Sequence, residues 1–434
     1  MAKVTAQKCP KCGAPLVLKR GISDVACEYC RTVVHVEWGK KPPAEQPPPL
    51  TIYVSNPLPA FVPVLIALGL LLPLGGGALA FLTSLLGGAA STAVQAVQVA
   101  GLPVAGPVTT SLPATCSSNR EILISGQKFE GPGPLITAES TCKVKIKDST
   151  LKSDVVILAK NLAEITVENS TLEGKEAAVK LVMNSKLFAK KKAVIKGQET
   201  AVLAGVNSEI SLEEASIEGA ETAILADSNL NLSGTKSKIA GKEFGVRSTG
   251  SNLTISGKEL AVKGSRAAIE SDVNLTLELR GGSIEGDEAA VRMKGANADI
   301  KLSRSASIKG REVAIKGDTN LTLDMEDALV DAVEVAVESG VNPKLTLGPK
   351  ARIHGKRIAL KVGINLELEM REAAIESEGI AVCAPFNVEI ETRDSKITGG
   401  SEAFRFERRP NLLELTQTTV TGKQKFNGRG CGAR

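Results

Sequence analysis

The sequence predicts an all-β solenoid, a right-handed parallel β-helix of about 14 coils, joined to a small cysteine-bound module and one transmembrane helix. Three observations predict it. An apolar-x-Gly-x-x-x-small-apolar pattern recurs about every 22 residues through the C-terminal three quarters of the chain. A second pattern, two apolar residues around one polar residue and often preceded by Asn, keeps the same spacing. A run of 27 uncharged residues separates this region from two C-x-x-C pairs near the N-terminus.

Residues 1–40 hold the first element. Cys9 and Cys12 (CPKCGAPL) and Cys27 and Cys30 (CEYCRT) give C-x2-C-x14-C-x2-C. Each C-x-x-C turn offers two thiolates, and two such turns complete a tetrahedron around one Zn2+. Gly13 allows the tight turn. Four thiolates leave no open coordination position, so the expected zinc is structural. An arm of about 40 residues buries too little core to fold alone, and the metal supplies the missing stability. A pair of disulfides is the alternative, disfavoured in a cytoplasmic segment. Residues 7–38 resemble the short zinc ribbons at the N-termini of many prokaryotic membrane proteins. That resemblance implies binding or anchoring and no further function.

Residues 41–59 (beginning KPPAEQPPPL) form a stiff Pro-rich linker. Residues 60–86 are long enough to cross the hydrocarbon core as one helix. Pro63, Pro73 and Gly75–Gly77 weaken a soluble helix more than a membrane one. A buried core helix or a re-entrant hairpin is the competing expectation. Eight basic residues, Lys3 to Lys41, precede the segment, and the next is Arg120. This asymmetry puts the N-terminus in the cytoplasm and the large domain on the extracytoplasmic side. Residues 87–119 form an uncharged, flexible stalk.

Residues 120–426 are the solenoid, and 427–434 a tail. LEGKEAAV (172–179), IEGDEAAV (284–291) and IKGREVAI (308–315) exemplify the first pattern; NLTI at 252 and NLEL at 365 exemplify the second. Alternation turns one face of each short segment inward, and the recurring Gly is expected to supply a tight turn. Helical periodicity is absent. Leucine-rich repeats would show their Leu/Asn consensus, and hexapeptide helices an 18-residue coil. A coil near 22 fits three faces, and about 14 coils give a rod roughly 65 Å long. The region resembles the pectate-lyase-like β-helix superfamily. The paired Asp residues and Gly-His-Gly segment of its polygalacturonases are missing, and RIHGKR around His354 does not replace them.

Residues one period apart should stack. The column after the first apolar residue then reads Glu173, Lys196, Glu218, Ala240, Lys263, Glu285, Lys309, Asp331, His354, Glu376. Its signs alternate, which cross-strand electrostatics favours, and His354 is expected to be one rung of it. Asn229, Asn252, Asn274, Asn320, Asn365 and Asn387 should form a stacked amide ladder. Asn231, Asn252, Asn274 and Asn320 match N-x-[ST], but the repeat accounts for them. An outward column of Ser211, Thr254, Thr276, Thr322 and Thr346 is expected to continue as Glu367, Glu389 and Glu414, with Glu369 and Glu391 in the next. These five carboxylates are a candidate Ca2+-type oxygen site, unless Arg371 and Arg393 neutralise them. Cys116 and Cys142 are candidates for one disulfide, and outward-pointing Cys383 with Cys431 for another.

The formal net charge is +5, set by the N-terminal arm, because residues 120–434 carry 45 basic and 44 acidic side chains. That balance gives no nucleic-acid footprint. No Trp or Tyr follows Tyr53, whereas sugar-processing enzymes of this fold class stack sugars on aromatics. Asp324–Asp327 is a poor match for a lyase cluster. The expectation is a membrane-anchored, non-catalytic rod binding an extracellular polysaccharide or protein, with the ribbon contacting a cytoplasmic protein. The alternatives are a transmembrane sensor signalling through the ribbon and a polysaccharide lyase or hydrolase.

Overall fold

The computed structural model describes the strands Ala6–Lys8, Pro15–Val17, Asp24–Ala26, Val33–His35 and Val108–Thr109, residues 111–427, and Cys431. The chain divides into two compact units, Met1–Val97 and Gln98–Arg434. In the first unit, Ala6–Lys8 pairs antiparallel with Pro15–Val17, and Asp24–Ala26 with Val33–His35. Cys9 and Cys12 fall between the first two strands and Cys27 and Cys30 between the second two. The four cysteines themselves lie outside the described residues, as do the Pro-rich linker, the expected membrane segment 60–86 and most of the stalk. No helix among the described residues is long and apolar enough to cross a membrane.

The second unit is a right-handed parallel β-helix with about 14 coils and a 22-residue period. Each coil contributes to three parallel sheets, named A, B and C in chain order. Thr171–Met183 runs through A and B, and Lys186–Lys190 lies in C. In sheet A, Thr171, Val194 and Ser216 stack; in B, Ala177, Thr200 and Thr222; in C, Lys186, Glu209 and Asn231. The parallel sheet starts upstream of residue 120, where the repeat becomes legible. Val108–Thr109 pairs with Ile122–Leu123, and Ala114–Cys116 with Ile136–Ala138.

Alternation fills the interior. In sheet A, Leu151, Leu172, Ile195, Ile217, Ile239 and Val262 are all buried. In sheet B the inward column is Val179, Val202, Ile224, Ile269 and Val291, also buried, and each has a buried alanine before it, Ala178 or Ala223 for example. Burial of one such aliphatic chain contributes about 1.5–3 kcal/mol, and stacking repeats that contribution in every coil.

The recurring glycine acts differently from the expected turn. Gly174, Gly197, Gly219, Gly241, Gly264 and Gly286 all have ordinary, non-left-handed backbones. They sit at the A-to-B corner, where a Cβ would lie 1.9–2.3 Å from the backbone of the residue three positions on. The requirement is close approach rather than φ freedom. Ser153, Ala332 and Ser377 occupy the same column, so the corner admits a small side chain where its local path differs.

The left-handed residues stack at the other two corners. After sheet B they include Asn184, Asn207, Asn229, Asn320 and Asn365; after sheet C, Asp148, Asn169, Lys191 and Glu214. Asn tolerates this conformation best among non-glycine residues. Its amides form a ladder of ten bonds from Asn161 to Asn387. All six predicted positions belong to it, together with Asn161, Asn184, Asn207, Asn297 and Asn342. Asn274 donates to Asn252 at 2.9 Å and accepts from Asn297 at 3.0 Å. Asn274→Ala should therefore cost about 1 kcal/mol, seen as a lower denaturation midpoint with an unchanged slope. No change would show the ladder to be energetically neutral.

The last strand, Thr419–Phe426, is irregular. Its pairing with Lys396–Phe406 shifts register twice, and Gly422 has φ 114°. Lys423, Gln424 and Lys425 are exposed on it. Leu413, Leu415, Val420 and Phe426 are the half-buried last members of the core.

Candidate functional site

Sheet A places the charge column in the expected register, from Lys152 through Glu173, Lys196, Glu218, Ala240, Lys263, Glu285, Lys309, Asp331 and His354 to Glu376. Lys152 lies 2.6 Å from Glu173, Lys196 3.4 Å from Glu218, and Lys263 2.7 Å from Glu285. These exposed pairs contribute about 0–1 kcal/mol each. Their main effect is to penalise slipped register. A groove beside the glycine corner is lined by the same alternating charges, Lys152, Glu173, Lys175 and Lys196 among them. Its walls neutralise one another.

His354 Nδ1 lies 2.6 Å from Asp331 Oδ1, its only side-chain hydrogen-bond partner among the described residues. Glu376, the next rung, turns away to Arg352 at 3.0 Å and Lys396 at 2.8 Å. A general base needs a proton donor on the substrate side and an orienting partner behind it. Asp331 is an orienting partner of that kind, and His354 holds the rung expected of it.

On sheet C the structure corrects one column. Lys344, Glu367 and Glu389 stack, and beside them Thr346, Glu369, Glu391 and Glu414. Glu414 therefore follows Glu391 rather than Glu389, and Ser211 and Thr346 belong to this second column. Leu412 holds the position next to Glu389, 23 residues on, the spacing that also separates Lys344 from Glu367. Lys344, missed by the sequence reading, bonds Glu367 and lies 4.0 Å from Glu369. Arg371 and Arg393 stack as a third row. Arg371 approaches Glu372 at 3.9 Å, and neither guanidinium pairs with the five carboxylates. Among the described residues no three His, Cys, Asp or Glu side chains are gathered to hold a metal ion. The carboxylates spread along flat strands rather than converging on a point.

Sheet B carries three ion-paired carboxylates that sequence reasoning missed, Glu270 and Glu402 buried and Glu338 half-buried. Glu270 is 2% exposed, 3.2 Å from Arg247, 3.4 Å from Arg292 and 2.7 Å from Lys294. Glu338 lies between Lys361 at 2.7 Å and Lys316 at 3.4 Å. Glu402 accepts two bonds from Arg405 and one from Lys425. The signal was available in the column Arg247, Glu270, Arg292, Lys316, Glu338, Lys361. The Arg405 hydrogen bonds, with Lys425 and against the opposing effect of burial, hold the Glu402 carboxyl down at about 2. Lys396 and Arg352 likewise lower Glu376.

A carboxyl lowered by folding stabilises fully above its unfolded value, and loses that contribution as pH falls through the folded one. Glu402 should thus contribute above pH 4.5 and fade as pH approaches about 2. In Glu402→Gln, stability should be lower at neutral pH and should decline less between those limits. Parallel pH–stability curves for the two proteins would count against this assignment.

The rod cysteines form two disulfides, Cys116–Cys142 with Cα atoms 6.0 Å apart and Cys383–Cys431 at 5.8 Å. Cys116 and Cys142 sit in the core of the first coils. Cys383 occupies the outward column after Lys361, yet it is fully buried, because Cys431 and the apolar side chains of Ile358, Ile380 and Val335 cover it. The chain matches no family model, no curated protein and no solved structure.

Proposed function

We propose that this chain is a membrane-anchored, non-catalytic rod displayed on the extracytoplasmic side, built to present a binding face at a distance, with a zinc ribbon in the cytoplasm. The observation that carries it is the pairing of polar groups along sheets A and B and the corner after sheet B. There the charge column, the carboxylate clusters and the amide ladder find their partners within the rod, which favours stiffness over chemistry. Cysteine usage supports the placement. Two disulfides fit an oxidising compartment for the rod. The C-x-x-C pairs, each flanked by an antiparallel strand pair, fit a thiolate metal site. The uncharged segment 60–86 lies between the two. Cys9, Cys12, Cys27 and Cys30 would hold the zinc, which supplies folding stability to the arm.

The test is thiol counting on the full chain from membranes. Denatured without reductant but with chelator, Cys9, Cys12, Cys27 and Cys30 should take a thiol-specific mass tag and release zinc, while the rod cysteines stay unreactive until reduced. The protein should also resist extraction by alkaline carbonate. Tagging of the rod cysteines without reductant, or release into the soluble fraction, overturns the placement.

A further inference from the structure

We propose that the C-terminal third of sheet C is the surface through which two copies of this chain pair side by side, with their rods parallel. This goes beyond the rod reading and rests on its anchor for the local concentration that pairing needs. Along sheet A opposite charges alternate, but here like stacks on like. Glu369, Glu391 and Glu414 form one row, and Arg371 and Arg393 the row beside it. All five are exposed. Glu391, Glu414 and Arg393 have no ion-pair partner within 4.0 Å among the described residues, and Glu369 only reaches Lys344 at that limit. Stacked like charges repel at strand spacing, so this face is unsatisfied within one chain.

The occupant follows from charge complementarity. The rows are two residues apart on each strand, roughly 7 Å. Rotate a second rod by a half turn about an axis parallel to the first and midway between the rows. Its Glu369 and Glu391 then face Arg371 and Arg393 of the first copy, and the reverse pairs form by symmetry. One surface satisfies itself four times over. The half turn also leaves both N-termini at the same end, as two chains anchored on that side require. The patch spans only three coils, well below the roughly 800 Å² per partner of a standard interface. Pairing is therefore weak in dilute solution and gains from the high local concentration of anchored chains.

The experiment uses the full chain in its membrane with Thr416→Cys, a position at the end of the basic row, and a short bismaleimide linker. A cross-linked dimer should form that the parent chain does not give. Arg371→Glu with Arg393→Glu should lower its yield about tenfold or more, and so should Glu369→Arg with Glu391→Arg. Co-expression of the two charge-reversed chains should restore a mixed dimer, because the rows become complementary again. Unchanged circular dichroism melts in each variant establish that the rods fold, and Arg393→Ala gives a milder second loss. Absence of a dimer, cross-linking insensitive to reversal, failure of the mixture to recover, or capture of a different protein each overturns the proposal.

Discussion

Gly219→Val is expected to destroy the cooperative melt of the rod around that coil. A Cβ at Gly219 would lie 1.9 Å from the Thr222 carbonyl oxygen and 2.4 Å from its carbon. Those are backbone atoms of a residue whose strand pairs on both sides, with Thr200 and Phe244. No rotamer relieves the overlap. The corner must open, and the strands above and below must follow or break. Overpacking that side chains can absorb costs about 1–3 kcal/mol, and backbone overlap should exceed that. Gly219→Ala carries the same Cβ and should also be strongly destabilising, with Val worse by its two added methyls. Thermal melts and limited proteolysis check the order, glycine above Ala above Val. Equal midpoints for all three proteins would show the corner to be pliable.

The second large effect concerns register. Removing residues 297–341, two complete coils, should leave a folded rod about 10 Å shorter. Asn297, Asn320 and Asn342 occupy one ladder position, so Asn342 can bond Asn274 directly. In a one-dimensional stack each coil contacts only its neighbours, and whole repeats can be excised. Removing only 297–307 should instead give an aggregating chain. It joins the end of a sheet B strand to the start of a sheet A strand and skips a face. Small-angle scattering and circular dichroism distinguish the outcomes. Misfolding of the two-coil deletion would mean that longer-range features hold the rod.

The fold was legible in the sequence because two independent patterns shared one period, and the charges of the sheet A column alternated in sign at that same period. Glu414 is misplaced by one column in the sequence reading because the residue beside Glu389 is the apolar Leu412, which leaves Glu414 as the outward polar residue of that strand. Four of the five missed ladder asparagines lack an apolar pair directly after them, as in Asn184–Ser185 and Asn342–Pro343, and the fifth, Asn297, is followed by a small residue, Ala298. The glycine column was found for the wrong reason, since composition cannot distinguish a residue needing positive φ from one needing empty space. Glu270 and its three cations come from three successive coils and share no local motif. The Cys383–Cys431 bridge depends on a tail path that periodicity does not encode.

The final strand has a consequence for growth. Every coil of this molecule is a template for the next, so a flat terminus would recruit another chain and propagate as a fibre. Thr419–Phe426 departs from that template, with shifted pairing, a glycine at φ 114° and two exposed lysines, features that disfavour further pairing. Truncation just before Leu412 would remove these and leave the strands Phe386–Arg393 and Lys396–Phe406 as the terminus. The shortened protein should polymerise end to end, converting a rod of fixed length into filaments.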